Sequence, residues 1–452
     1  MVRHRTPARR GSCAWKTAVL LLALAVPPSA QAQLMPGLDL PTTSLPGLPS
    51  GAIQGRLPPP LSLPDAPGLA NRVLQQARAV RLTALIRDNP AIIDVDDRGA
   101  PVVRGEVLAV SPSPEALVRL ETGGFRVRSR TAFEGLGLDL VVLAIPAGLS
   151  AREAVRRVRA IDPEGEYDFN HIYSAAGAAE APGAPASGDG GAAARVGLID
   201  GGVDTRHPAL RNVRIEQRGF APGGVQPRAH GLAVASLLAG SQGRFQGSAP
   251  GASLYVADVY GSTPAGGSAA ALAAALGWMA QSKVGVINVS LVGPPNLTLQ
   301  AAVRAMVARG HLIVAAVGND GPAAPPLYPA AYPGVIAVTA VDSRRRLLPE
   351  AGRPPRIDFA APGADMAAPG ADGGFVAVRG TSFAAPIVAG RLARNLPTPD
   401  PASAARATAL LARDAQDLGA KGPDARFGKG LVGFELATRP ATVAARGVLT
   451  HP

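Results

Sequence analysis

Four side chains in the C-terminal half of this 452-residue chain could together carry out acyl transfer. They are a carboxylate, an imidazole, a carboxamide and a hydroxyl, in the order Asp200, His230, Asn319, Ser382. Asp200 closes a predicted strand in Val196-Gly-Leu-Ile-Asp-Gly-Gly-Val-Asp204. That is the carboxyl end, where open α/β sheets place ligands, and a carboxylate there can orient an imidazole and stabilise its protonated form. Of the six histidines, His4, His171 and His451 lie outside this region, which leaves His207, His230 and His311 as candidate general bases. His207 precedes Pro208 just after the strand, and His311 leads into another strand, so both have ordinary structural explanations. His230 opens His230-Gly-Leu-Ala-Val-Ala235, a helix start among small residues, and is the favoured base. Ser382 lies in Gly380-Thr-Ser-Phe-Ala-Ala-Pro386, a tight turn into a helix whose N–H groups can meet developing negative charge. Asn319, in Ala315-Ala-Val-Gly-Asn-Asp-Gly321, follows a strand and can offer its amide to an oxyanion.

Each motif alone has an everyday reading: a serine near glycines caps or turns, an Asp after a strand bonds a loop, and Asn-Asp-Gly is a turn. Their order on one α/β region is specific. Asp, His, Ser is neither the α/β-hydrolase order nor the chymotrypsin order, and Gly380-Thr-Ser-Phe-Ala384 lacks the second glycine of a nucleophile elbow. From about Arg195 to Phe434 the sequence resembles a subtilisin-type serine protease, a subtilase. Val286-Ile-Asn-Val-Ser-Leu291 resembles that family's substrate-binding strand. Tyr328-Pro-Ala-Ala-Tyr-Pro-Gly-Val-Ile-Ala-Val338, Ile357-Asp-Phe-Ala-Ala-Pro-Gly363 and Phe427-Gly-Lys-Gly-Leu-Val432 resemble its loops and final turn.

The resemblance implies a serine endopeptidase that works through an acyl-enzyme. Asp200 orients His230, His230 takes the proton of Ser382, and Asn319 with a backbone N–H holds the oxyanion. Ser290, Leu291, Val292, Gly293 and Gly318 are the implied substrate-binding residues, with small apolar walls that suit a neutral side chain. The family usually has Thr and His after its His-Gly pair, where this chain has Leu232 and Ala233. Its substrate strand usually runs Ser-Leu-Gly-Gly, where this chain has Ser290-Leu-Val-Gly293. Both departures bear on substrate preference and packing more than on the chemistry. The related Ser-Glu-Asp peptidases are disfavoured, because His230 holds the base position and Asn319 the oxyanion position. The competing expectations are a catalytically inactive subtilase fold that acts as a binding or chaperone module, and an esterase with the same triad.

The elements that must position these residues follow from the apolar pattern. Short continuous apolar runs at Val196–Ile199, Ser253–Ala257, Val284–Val289, Leu312–Val317 and Val335–Val338 predict buried parallel strands, with helices over Ser268–Ser282 and Leu299–Arg309 between them. The expected fold is α/β, a doubly wound, mostly parallel sheet over residues 195–434. Ahead of it, residues 101–175 predict strand 102–110, helix 113–122, strands 125–133 and 138–145, helix 150–161 and strand 165–173. That order is the βαββαβ of a small α+β ferredoxin-like unit. Before a subtilase domain it resembles the family's propeptide, an inhibitor and folding chaperone in cis. Residues 34–194 carry 15 Lys/Arg against 18 Asp/Glu and residues 195–452 carry 25 against 15, so the two parts have opposite net charge, which favours docking. Residues 176–194, nearly all Ala, Gly, Pro and Ser, read as an accessible linker in which cutting is expected. Residues 33–100 read as a Pro/Leu-rich linker ending in a helix over Asn71–Asp88, and 435–452 as a tail.

The N-terminus places Arg3, Arg5, Arg9, Arg10 and Lys16 ahead of the apolar run Ala18–Val26, with Ala30-Gln-Ala32 after it. This is a secretory signal over residues 1–32, and it predicts a secreted or periplasmic protein. The apolar run is about half the length of a membrane span, so an integral membrane protein is not expected. The single cysteine, Cys13, lies in that leader, which rules out an internal disulfide framework and a Cys-based zinc site. The net charge of +12 permits nucleic-acid contact, but aromatics are only 4% and Arg344-Arg-Arg346 is the one dense cluster, so none is expected. The implied partners are protein or peptide substrates and the chain's own pro-domain, and the expected state is a monomer. The chemistry needs no cofactor. Many subtilases hold structural calcium, but no calcium-loop motif occurs here.

Overall fold

The computed structural model describes residues 66–176 and 194–436. The expected signal peptide, most of the Pro/Leu-rich stretch, linker residues 177–193 and the tail beyond 436 lie outside the described residues.

The first part begins with α1 (Ala66–Asp88), which Asn89 and Pro90 end, and β1 (Ile93–Val95). There follow β2 (Pro101–Val110), α2 (Pro114–Thr122), β3 (Arg126–Phe133), β4 (Leu138–Ala144), α3 (Ala151–Ile161), β5 (Glu166–His171) and the short β6 (Ser174–Ala175). Antiparallel pairing puts β4 and β5 on either side of β2, with β3 outside β4, the ferredoxin-like order that the sequence predicts. β1 adds a strand ahead of residue 101 by pairing with the start of β2. Both helices start where their caps dictate. The Ser113 side chain accepts from the Ala116 N–H, and Ser150 with Glu153 forms a reciprocal capping box.

The sheet of this small domain buries both faces, and the period-2 alternation shows how. Val107 and Ala109 of β2, and Val141 and Leu143 of β4, pack under α2 and α3 with Leu120, Val155 and Val158. Their neighbours Leu108, Leu140 and Val142 point the other way and join the core of the second domain. A strand apolar on both faces needs a second layer, and two helices of the larger domain, Ala269–Gln281 and Leu297–Ala308, supply it.

That larger domain runs β7 (Arg195–Asp200), β8 (Ile215–Gly219), α4 (Ala229–Ala239), the hairpin β9 (Ser241–Gln242) and β10 (Phe245–Gln246), and β11 (Ser253–Asp258). It continues with α5 (Ala269–Gln281), β12 (Val286–Val289), β13 (Leu291–Val292), α6 (Leu297–Ala308), β14 (Leu312–Ala316) and β15 (Ile336–Val341). The last elements are β16 (Phe359–Pro362), β17 (Met366–Pro369), β18 (Phe375–Val378), α7 (Thr381–Ala393) and α8 (Pro401–Asp414). Seven strands form one parallel sheet in the order β16-β15-β14-β12-β7-β11-β8. α4 and α7 pack together on one face, while α5 and α6 pack together on the other. The edge strands β8 and β16 are absent from the sequence expectation. β8, Ile-Glu-Gln-Arg-Gly, alternates between half-buried and exposed and carries no continuous apolar run.

The two domains meet at the N-termini of α5 and α6. Asn170 Oδ1 accepts from the Ala270 N–H at 3.1 Å, and Asp168 Oδ2 accepts from the Leu297 N–H at 2.7 Å. Each acceptor satisfies a donor that the first turn of a helix leaves unpaired, and the Asp168 carboxylate also faces the positive end of a helix dipole. Phe133 seats against Gly277 of α5, where an added Cβ would come within 2.5 Å of its ring.

Candidate active site

The carboxyl ends of neighbouring strands β7, β12 and β14 bring Asp200, Ser290 and Gly318-Asn319 to one edge of the sheet. α4 and α7 approach the same edge. His230 is the second residue of α4 and Ser382 the second of α7. Gly231 lets α4 come this close, because a Cβ there would lie 2.4 Å from the Gly201 carbonyl oxygen.

His230 Nδ1 lies 2.9 Å from Asp200 Oδ2 and 3.0 Å from Oδ1, and His230 Nε2 lies 3.0 Å from Ser382 Oγ. A carboxylate can only accept here, so Nδ1 carries the proton and Nε2 is free to accept the serine hydroxyl proton. Asp200 also accepts the Gly201 N–H at 2.6 Å. The Phe383 ring packs beside the imidazole at 5.3 Å between centroids. Ser290 Oγ donates to the Ser382 carbonyl at 3.0 Å and receives the Asn288 amide at 2.8 Å, which fixes the first turn of α7 from below. His207 and His311 have the structural places that the sequence suggests. His207 Nε2 bonds the Gly370 carbonyl and its Nδ1 the Ala209 N–H, while His311 Nδ1 bonds the Val284 carbonyl and is held below its ordinary value, first by burial.

Asn319 is oriented rather than free. Its Oδ1 accepts the Thr381 N–H at 3.0 Å, which turns its Nδ2 toward the cleft. Thr381 Oγ1 accepts the Gly318 N–H at 3.1 Å and so ties the β14 loop to the start of α7. In the cleft, Asn319 Nδ2 donates to the backbone carbonyl of Ala176, and the Ser382 N–H donates to the same oxygen at 3.3 Å. Two N–H groups therefore converge on one carbonyl oxygen beside a serine hydroxyl.

That carbonyl ends an extended segment of the small domain. Ala175 pairs with Leu291 and Ser174 with Val292 in an antiparallel ladder, and the Ala176 N–H donates to the Ser290 carbonyl at 3.0 Å. On the other side the Tyr173 N–H donates to the Gly267 carbonyl at 2.9 Å, and Ile172 bridges to Ser268. Residues 172–176 thus form the middle strand between 267–268 and 290–293. Tyr173 is fully buried, its ring against Gly293 and its hydroxyl donating to the Pro294 carbonyl at 2.8 Å. Ala176 shares a buried apolar cluster with Val292, Val317 and Leu327. Gly318 stands among them with φ +91°, where a Cβ would lie 2.6 Å from Leu327 Cδ1 and 3.4 Å from Val292 Cγ1. Ser290, Leu291, Val292, Gly293 and Gly318 therefore all line this channel.

Residues 191–430 match the family model described as the Subtilase family, more than half of the chain. The chain belongs to the subtilase family. It is 33% identical over 270 residues to subtilisin E of Bacillus subtilis (strain 168), covering 58% of this chain and 69% of that protein. It is 34% identical over 266 residues to subtilisin Savinase of Lederbergia lenta, covering 58% of this chain and 96% of that protein. Among solved structures, fervidolysin of Fervidobacterium pennivorans, a keratinolytic enzyme related to subtilisin, superposes with a TM-score of 0.62 at 20% identity. That superposition covers 76% of this chain and 63% of fervidolysin, so the likeness of fold extends beyond the family match.

This subtilase is a serine-type endopeptidase by family, and its sheet is the doubly wound parallel one that the sequence predicts. Sequence reasoning missed two contributors to the cleft. Thr381 appears there only as a neighbour of the serine, and of Gly267-Ser268 only the serine appears, as a helix start. Among the described residues, no group of three or more His, Cys, Asp or Glu side chains converges as a metal site, and no helix is long and apolar enough to cross a membrane.

Proposed function

We propose that this subtilase is a self-processing serine endopeptidase whose first substrate is its own chain at the Ala176–Gly177 bond. The observation that carries this reading is the Ala176 carbonyl, held by Asn319 and the Ser382 N–H at the end of a strand paired into the cleft. Ser382 Oγ attacks that carbonyl carbon as its proton moves to His230 Nε2, and Asp200 stabilises the imidazolium that forms. The oxygen gains negative charge between the two donors that already face it. Collapse breaks the bond to the Gly177 nitrogen, which takes the proton from His230. Water then repeats the sequence and releases the Ala176 carboxylate from the acyl-enzyme. The chemistry uses only these side chains and requires no cofactor.

After the cut, residues up to 176 stay bound non-covalently as an inhibitor, since the segment in the cleft is held by a ladder, a buried tyrosine and the docked face of the small domain. The mature enzyme acts on protein substrates, with a preference for a small residue before the cut bond. The leader over residues 1–32 supports a secreted or periplasmic preproenzyme that works as a monomer. Casein hydrolysis by the purified full-length protein, run beside a small-ester assay, tests the reading. Peptide-bond cleavage is the expected result. Ester hydrolysis alone would indicate an esterase. No hydrolysis of either and an intact chain would indicate a binding module.

A further inference from the structure

We propose that the loop bearing Asp320 is a docking surface for a basic helix, and that α1, its occupant, is a latch that retains the pro-region on the enzyme after self-cleavage. The latch rests on the self-processing reading above, whereas the docking surface does not. Asp320 directly follows the oxyanion residue Asn319, and its side chain is only 12% exposed. Its two oxygens take one guanidinium each from α1. Arg78 Nε lies 3.1 Å from Oδ2 and Arg81 Nη2 lies 2.8 Å from Oδ1. Arg78 and Arg81 are three residues apart and share one face of the helix. One turn earlier on that face, Gln75 Nε2 donates to the Ala323 carbonyl at 3.2 Å. Leu74 rests on Gly321, whose φ of +89° and absent Cβ let it approach. Residues 74, 75, 78 and 81 thus all engage the loop over 320–323.

Charge decides this contact. The outer face of α1 leaves Leu69, Val73 and Val80 49%, 57% and 61% exposed, so apolar burial holds the helix only weakly. Among the described residues the ion pairs of Asp320 all go to α1, and α1 precedes the cut bond, so processing separates the partners covalently. The pro-region then holds on at two places, the cleft strand and the latch. While one is engaged the other rebinds at high local concentration, which delays activity after the bond is cut. Arg81 is largely exposed, so salt should screen the latch.

Two readouts test this. In the full-length Ser382→Ala chain, which cannot cut itself, Arg78→Ala/Arg81→Ala should speed amide hydrogen exchange across residues 71–86 about tenfold, the scale of two partly exposed ion pairs. Exchange in β2, β4 and β5 should not change, and Asp320→Asn should reproduce the effect. Equal exchange in all chains would overturn the docking surface. With Ser382 present, the mature enzyme released from Arg78→Ala/Arg81→Ala is identical in sequence to wild type. Any difference in the lag between cleavage, read by mass, and peptide hydrolysis therefore reports release. We expect that lag to fall about tenfold. Added NaCl should shorten it in wild type only. Equal lags in cut chains would overturn the latch even where exchange differs. Uncut chains throughout would defeat the self-processing reading and the latch with it, and the exchange result would still decide the docking surface.

Discussion

Asn319 donates its side-chain N–H to the backbone carbonyl of Ala176, a residue 143 positions earlier in the chain. The contact joins two parts of the sequence with no pattern in common, a turn after a parallel strand and the end of a small antiparallel domain. It gives the amide a ligand of the kind an oxyanion hole is built for, already in register with the serine.

The dependence on this donor can be read from the rate of self-cleavage. Asn319→Ala removes one of the two N–H groups facing the oxygen and leaves the Ser382 N–H. The half-time for loss of the full-length mass should lengthen about 10²- to 10³-fold, a scale itself set by a subtilisin. A change of only a few-fold would mean that this amide does not stabilise the transition state.

Asp200→Asn replaces the acceptor that keeps the proton on His230 Nδ1. The carboxamide can present an N–H there, which favours the tautomer with its proton on Nε2, unable to accept from Ser382. Self-cleavage should slow about 10⁴-fold with the fold intact. The check is a cleavage time course beside a circular dichroism spectrum, and near-normal cleavage would remove Asp200 from the mechanism.

Preference along the cleft follows from what fills it. The Tyr173 hydroxyl gives the Pro294 carbonyl its bond, so peptides with Tyr at the fourth position before the cut should exceed Phe analogues by about three- to tenfold in kcat/KM. Val292 crowds the wall beside Gly318 where the family usually has glycine, so Val292→Gly should admit larger residues before the cut bond. Matched peptide series with wild type and variant test both, and an unchanged preference in the variant would acquit Val292.

Retention of the pro-region should depend on pH through Asp168. Burial pushes its carboxyl above the ordinary 3.8, outweighing the pull of His171, the Leu297 and Phe169 N–H groups and Arg159. The docked form therefore holds the proton more tightly than the released form. The Asp168 contribution to docking is fully present below 3.8 and is lost as pH rises through the raised value. Release after cleavage should quicken across that window in wild type and lose this component in Asp168→Asn. Identical pH profiles would show that Asp168 does not titrate on docking.

The sequence made much of this site legible because each reactive residue ends or begins an element with a strong local signature. Asp200 and Asn319 follow continuous apolar runs, and His230 and Ser382 open helices rich in small residues. The small domain was legible for the same reason, through alternation and serine caps. Pairing between distant segments left no such trace. Ser174-Ala175 reads as the unstructured end of the small domain and Ala176 as the first linker residue, since three small residues carry no strand propensity, and only the ladder with Leu291 and Val292 makes the segment a strand. Arg78 and Arg81 look like the solvated face of a helix, because nothing local announces Asp320 as their partner. β8 escaped because an edge strand need not be apolar on both faces, whereas β16, Phe-Ala-Ala-Pro, is wholly buried but too short and too poor in β-branched residues to mark a strand.

The most direct test of the central claim is the intact mass of the full-length protein and of its Ser382→Ala variant after purification. Wild type should yield a fragment beginning at Gly177, and the variant should remain whole. An uncut wild-type chain, or cleavage between Ala176 and Gly177 that persists in Ser382→Ala, would contradict self-processing by Ser382.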